Sequence, residues 1–167
     1  MKVKRYFLEL KFKDCSNFKT NIPKNFEIEV DNKKNFQINK FFYRQIGIDH
    51  FWRDRLIWSD KEWNNYVKNK NLETWVLKNK DELVGFYELE HHLSSNEVEL
   101  INMGVLKEYR GKKLGSNLLL HSINRAHSKK SKRIWVHTCS LDHKYALQNY
   151  KSKGFSIFRN EEVSFVA

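Results

Sequence analysis

The sequence predicts an α/β fold, and three observations predict it. Residues 98–105 alternate apolar and polar side chains as a strand does, run into the basic turn Arg110-Gly111-Lys112-Lys113-Leu114-Gly115-Ser116, and lead to a Leu-rich helical stretch at 117–126. Further strand and helix patterns alternate on both sides of this unit. A length of 167 residues with 40% hydrophobic content suits one compact domain, expected to span residues 1–167.

Residues 4–12 and 26–30 alternate as strands, with a turn-like segment at 14–24 between them. From 35 to 48 the positions Phe36, Ile38, Phe41, Phe42 and Ile46 follow a helical period, and 59–67 opens with a Ser59-x-x-Glu62 capping box. Residues 72–78 and 82–90 read as strands joined at 79–81, and 97–105 follows a Ser94-Ser95-Asn96 turn. A strand at 133–139, a helix at 142–153 and two terminal strands at 155–159 and 162–166 complete the set. No repeat, low-complexity tract or linker divides the chain. The last strand is an edge open to a second subunit, so monomer and homodimer both fit.

A strand, a glycine-containing basic turn and a helix start collect unpaired backbone N–H groups and a positive dipole end at one point, which makes 110–116 a phosphate site. A P-loop is excluded because Ser116 follows Gly115 with no lysine between, and a dinucleotide fingerprint because Gly111 and Gly115 are the only glycines there. Cys15 and Cys139 have no metal-ligand spacing, so no metal is expected and the thiols read as free in a reducing compartment. Cys139 reads as a buried strand residue. No apolar run would span a bilayer, and the first residues enter a strand pattern rather than a signal-peptide core; a cytoplasmic location without a membrane partner is expected.

The net charge is +11, and nine of the cations lie between Lys107 and Arg133, opposed there only by Glu108. The phosphates of a bound ligand account for Lys107, Lys112 and Lys113, and solvation for most of the rest. Nucleic acid ranks below both explanations, since no RNA- or DNA-binding motif accompanies the charge.

The 110–116 turn resembles the acyl-CoA loop of the GNAT N-acetyltransferase superfamily, Gln/Arg-x-x-Gly-x-Gly/Ala. Arg110 fills the first position and Gly115 the last, while Lys113 replaces the middle glycine and is expected to restrict backbone approach to a pyrophosphate. Residues 97–105 resemble the family's fourth strand, 133–139 its fifth, and 145–155 its last helix with the Tyr-x-x-x-Gly-Phe ending at Tyr150, Gly154 and Phe155. These motifs cover roughly residues 74–160 in the family's order.

The resemblance implies a central mixed, twisted sheet with helices on both faces, and an N-acetyltransferase that carries an acetyl group from acetyl-CoA to a primary amine by direct attack in a ternary complex. The main chain of Met103 and Val105 would meet pantetheine, with Gly104 permitting close approach. The amides of Gly111, Lys112, Lys113, Leu114, Gly115 and Ser116 would take the pyrophosphate, with Leu114 packed under the helix. Tyr150 would protonate the departing thiolate, and His143 stands where many members have an asparagine toward pantetheine. The alternative for His143, with Asp142, is to cap the helix.

Strand alternation puts Glu97, Glu99, Ile101, Met103 and Val105 on one face. Counting back from Arg110 by the family pattern selects Glu99 as general base, directly or through a water. A solvent-facing carboxylate is the plainer reading of Glu99, and a core tyrosine that of Tyr150. Glu88 and Glu90 are rivals for the base, and Glu88 is also a candidate for a substrate ammonium. Acceptor recognition falls to residues 50–59, where Trp52 and Trp58 would stack on the acceptor and Asp54 would hold an amine; core packing and surface ion pairs are the alternative there. His137 and Trp135 are set either toward this cleft or in the core. A second function class, a catalytically silent acyl-CoA-binding module on an RNA- or ribosome-associated protein, is kept open by Lys113.

Overall fold

A computed structural model describes residues 1–14 and 18–164. Along the chain run β1 (Lys2–Lys11), β2 (Phe26–Val30), α1 (Phe36–Gly47), α2 (Asp60–Lys68), β3 (Leu72–Asn79), β4 (Glu82–His92), β5 (Glu97–Val105), α3 (Leu114–Ser128), β6 (Arg133–Cys139), α4 (Ala146–Ser152) and β7 (Ser156–Ser164). The strands form one sheet in the order β2-β3-β4-β5-β6-β1-β7. Neighbours are antiparallel except β5 and β6, which makes the sheet mixed.

Local chemistry sets the ends of several elements. Asn35 caps α1 by accepting from the Gln37 amide, and Ser59 and Glu62 form both bonds of the capping box on α2. Lys80, with φ 55, and Asp81 close the β3–β4 hairpin.

The sheet buries an apolar layer on each face. On one, Leu118, Leu119 and Ile123 of α3 cover Leu8, Val98, Leu100 and Ile134, all at or near zero exposure. On the other, Phe42 and Ile46 of α1 pack on Val76 and Phe86, with the Phe42 and Phe86 rings stacked at 4.8 Å. At roughly 1.5–3 kcal/mol per fully buried large apolar side chain, these two layers hold the helices to the sheet.

Two sequence expectations change. The terminal segment is a single strand, because β7 pairs along β1 from Lys2↔Ser164 to Glu9↔Ser156 and absorbs an irregularity at Phe7/Leu8. The last helix begins at Ala146 instead of 142, because the Asp142 carboxylate turns back to accept from the Thr138 hydroxyl at 2.7 Å and the Cys139 amide at 3.0 Å. Cys15, part of the 14–24 segment and the end of the 162–166 strand lie outside the described residues.

Glu73 on β3 ties the sheet to α3. It accepts from Arg125 through two bonds of 2.8 Å, from Lys129 at 2.6 Å and from Trp75 Nε1 at 2.9 Å. Burial would raise this carboxyl, but those hydrogen bonds outweigh it and hold it at about 2, below its ordinary 4.5. A depressed carboxyl stabilises the fold above its unfolded value and loses that contribution as pH falls toward the folded value. Wild-type unfolding free energy should therefore drop between pH 4.5 and about 2, and Glu73→Gln should show a flatter acid limb in the same denaturant titration.

Candidate active site

The parallel pairing of β5 with β6 ends at Glu99↔Trp135. Beyond that point a cavity of about 770 Å³ opens, bounded by Leu100–Val105 on one side and Val136–Cys139 on the other. A bulge accompanies the opening: Tyr87 pairs with Met103 and Leu89 with Leu100, so Glu88 stands opposite both Ile101 and Asn102. An extra residue of this kind bends the strand and re-aims its side chains. The expectation that Glu97, Glu99, Ile101, Met103 and Val105 share one face fails for this reason. Val98, Leu100, Met103 and Val105 all pack with the α3-side core, while Gly104 faces α1.

The basic turn and the start of α3 form one end of the cavity. Gly111 has φ 88, and Lys113 takes a left-handed conformation, φ 59 and ψ 17, immediately before α3. The first main-chain bond into the helix runs from the Asn117 amide to the Lys113 carbonyl, which leaves the amides of Leu114, Gly115 and Ser116 without intrahelical partners. A Cβ added at Gly111 or Gly115 would meet nothing within 4 Å, so both present open backbone. Arg110 fastens the turn by donating Nε to the Val105 carbonyl at 3.3 Å and Nη1 to Asp49 at 3.3 Å, while its buried Nη2 has no partner among the described residues. Free amides, an orphaned guanidinium nitrogen and bare glycines suit a phosphate-bearing ligand. Leu114 packs in the core beneath the helix start at 1% exposure.

Lys113 thus adopts the shape a glycine would take, and the expected restriction of this turn is met by backbone strain. Left-handed strain costs a non-glycine residue roughly 1–2 kcal/mol and a β-branched residue more. Lys113→Val should lower unfolding free energy by about 1–2 kcal/mol and Lys113→Gly should leave it within about 1 kcal/mol, since strain relief is offset by unfolded-chain entropy. Equal stability of wild type and Lys113→Val in urea would contradict the left-handed turn.

The carboxylates separate into distinct environments. Glu99 accepts from or shares a proton with His92 Nε2 at 3.0 Å, and burial pushes its carboxyl up despite that bond. It is not among the side chains that line the cavity. Glu90 accepts from Asn69 at 2.8 Å. Glu90, His92 and Glu99 bring ligand-type atoms within 4.8 Å of one another, a grouping that sequence spacing does not reveal. Glu88, read from sequence as a partner for a substrate ammonium, is 1% exposed and absent from the cavity lining. Its oxygens accept from Asn39 at 2.7 Å on Oε2 and from Asn102 at 2.9 Å, Tyr66 at 3.0 Å and Arg55 at 3.4 Å on Oε1, so it is engaged by four donors inside the fold.

Tyr150 lines the cavity from α4, and its hydroxyl has no hydrogen-bond partner among the described residues. Burial, with a smaller contribution from Asp142, raises its phenol above the ordinary range, so it stays protonated. His143 lines the cavity and accepts the Tyr145 amide through Nδ1 at 3.2 Å, a bond in the turn before α4; no side chain caps that helix, so the capping alternative weighed from sequence does not hold. Asp142, the other capping candidate, instead accepts Trp52 Nε1 at 3.1 Å, which fixes Trp52 on the cavity wall. Asp54 and His137 also line the cavity, whereas Trp135 stacks near His92 with ring centroids 6.1 Å apart. Cys139, expected to be buried, is half-buried at the cavity edge, and burial pushes its thiol up, away from thiolate. Gly104 makes room mainly for the protein: an added Cβ would lie 2.7 Å from Ile46 of α1.

The acetyltransferase (GNAT) family model matches residues 33–155. The chain belongs to the GNAT acetyltransferase family. Solved structures place this GNAT chain on the same fold at low sequence identity. A GCN5-related N-acetyltransferase from Sphaerobacter thermophilus superposes with a TM-score of 0.72 at 11% identity, covering 95% of this chain and 49% of that one. An aminoglycoside acetyltransferase from an uncultured soil metagenomic sample gives 0.66 at 15% identity, over 80% and 90% of the two chains. The ribosomal-protein-S18-alanine N-acetyltransferase of Escherichia coli gives 0.62 at 18%, over 77% and 76%. The chain thus spans about half the length of the Sphaerobacter protein. No relative was found among curated proteins.

Several residues in or beside the candidate site escape sequence reading. His92 contacts Glu99 across a strand pair, and Arg5 reaches the cavity from β1, distant in sequence from every motif. Arg55 lies in the aromatic 50–59 segment, where its packing among rings reads from sequence as a surface ion pair. The density of Trp and Tyr around it was the available signal.

Proposed function

We propose that this GNAT chain transfers an acetyl group from acetyl-CoA to a primary amine by direct attack. The observation that carries the reading is the opening between β5 and β6 with the unpaired amides of α3 at one end. Those amides, Gly111 and Arg110 would hold the donor's pyrophosphate, and the main chain of Met103, Gly104 and Val105 with His143 would flank its pantetheine arm. Held there, the thioester would lie along the cavity toward Tyr150.

In this reading the amine nitrogen attacks the thioester carbonyl carbon, the carbon–sulfur bond breaks, and Tyr150 gives its proton to the departing thiolate. The proton lost by the amine goes to Glu99. Because Glu99 is not on the cavity lining, an intervening water carries that transfer. Its raised carboxyl brings it nearer the range of an effective base at neutral pH. Trp52 and Asp54, on the wall made by residues 50–55, would flank the acceptor.

The test follows release of free CoA thiol from acetyl-CoA with and without a panel of primary amines. Acceptor-dependent release is expected. Binding of acetyl-CoA with no thiol release to any amine would sink the transferase reading and leave a silent acyl-CoA-binding module.

A further inference from the structure

The acceptor side of the cavity distributes its charge unevenly, and a cationic acceptor would need free carboxylates. Two line the cavity, Asp54 and Asp142. Asp142 is committed to Trp52, Thr138 and the Cys139 amide. Asp54 alone of the pair has no hydrogen-bond partner among the described residues. Glu88 lies off the lining, buried and engaged by four internal donors.

The cage best suited to a cation is also full. The Arg55 guanidinium carbon lies 4.2 Å from the Tyr66 ring centroid, 4.8 Å from Trp58 and 5.6 Å from both Tyr43 and Trp63, with Glu88 at 3.4 Å. Aromatic faces with a carboxylate are the chemistry that receives an ammonium or guanidinium ligand. Here the chain's own arginine occupies it, held also by its amide on the Tyr43 hydroxyl at 3.1 Å.

Two other cations on the lining, Arg53 and Arg5, are less committed than Arg55 and Arg110, which pair with Glu88 and Asp49. Arg53 lines the cavity, rests over the Phe51 ring at 5.3 Å, and has no carboxylate partner among the described residues. Phe51 itself is held left-handed at φ 59, a strain of the sort found in ligand-shaping segments. Arg5 lines the cavity from β1 and is paired only through Nη1, to Glu161 at 3.3 Å, among the described residues.

From this arrangement we infer that the acceptor is a primary amine that also carries an anionic group, a carboxylate or a phosphate, received by Arg53 and Arg5. Polyamines and other polycations are poor acceptors, since the cage that would take them is filled from within. The inference rests on the transferase reading above and narrows its substrate class.

The test compares amines of matched length with acetyl-CoA: 4-aminobutanoate and O-phosphoethanolamine carry the anion, n-butylamine carries none, and 1,4-diaminobutane adds a second cation. Transfer is followed by thiol release, and acceptor binding separately by isothermal titration calorimetry. The expected result is at least a tenfold higher kcat/KM for an anionic amine than for the diamine. That preference should weaken as salt rises, and the double substitution Arg5→Glu with Arg53→Glu should abolish or reverse it. The carboxylate and phosphate arms decide which anion is preferred. Preference for the diamine, or no preference in either readout, overturns the inference. A protein whose melting temperature acetyl-CoA does not raise fails the transferase reading itself, whereas one stabilised by the donor but indifferent to acceptor charge fails this inference alone. The single substitution Arg53→Gln, at an exposed position, guards against loss of fold in the double variant and should lower the preference partway.

Discussion

Glu99→Gln should lower turnover by about 10²- to 10⁴-fold, the usual contribution of a positioned acid or base, with acetyl-CoA affinity nearly intact. The separation follows from position: Glu99 sits where the β5–β6 pairing ends, while the turn proposed to bind the donor lies beyond the far end of β5. The pH profile sharpens the test. Burial raises the Glu99 carboxyl above its ordinary 4.5, so the carboxylate required of a base appears only at higher pH. Wild-type kcat/KM should therefore fall on the acid side as Glu99 gains its proton, and Glu99→Gln should lose that limb with the rate. Unchanged turnover across neutral pH would remove Glu99 from the role.

Arg55→Ala should cost about 3–5 kcal/mol of unfolding free energy, the penalty for removing one partner of a buried ion pair. The cost arises because Glu88, at 1% exposure, would keep the neutral donors Asn39, Tyr66 and Asn102 and lose its only cation among the described residues. Four aromatic rings would also lose the guanidinium they surround. Arg55→Lys should recover part of the loss, since an ammonium restores charge but not the planar stacking. Urea unfolding measures both, and a loss under about 1 kcal/mol for Arg55→Ala would contradict a buried, charge-bearing node.

The sequence carried most of the fold because its signals are local. The Ser59-Glu62 box, the β3–β4 connection expected at 79–81 and the strand, basic turn and helix around Arg110 depend on neighbours a few residues apart, and each forms, the connection shortened to Lys80 and Asp81. The site was less legible where contacts are long-range. Strand alternation has no term for a bulge, so a regular period misplaces the faces of Met103 and Val105, which Ile101 and Asn102 shift. Glu88 looked like a cleft carboxylate because its four partners come from α1, α2, β5 and the 48–59 segment. Arg5 is brought to the cavity by antiparallel pairing of β1 with β6, which no local pattern announces. Asp142 read as a helix cap from its place in the chain, but the nearer Thr138 hydroxyl and Trp52 indole claim it.

Thermal unfolding with and without acetyl-CoA at moderate salt, with ATP and NAD as anionic controls, tests the central claim most directly. At about one hundred times its dissociation constant, a ligand bound only by the folded protein adds roughly 2.7 kcal/mol of stability. A higher melting temperature with acetyl-CoA and not with the controls is the predicted result. No shift, or an equal shift with all three, would mean that the turn at Arg110–Ser116 is a basic surface and that the cavity beyond it does not hold the acyl donor.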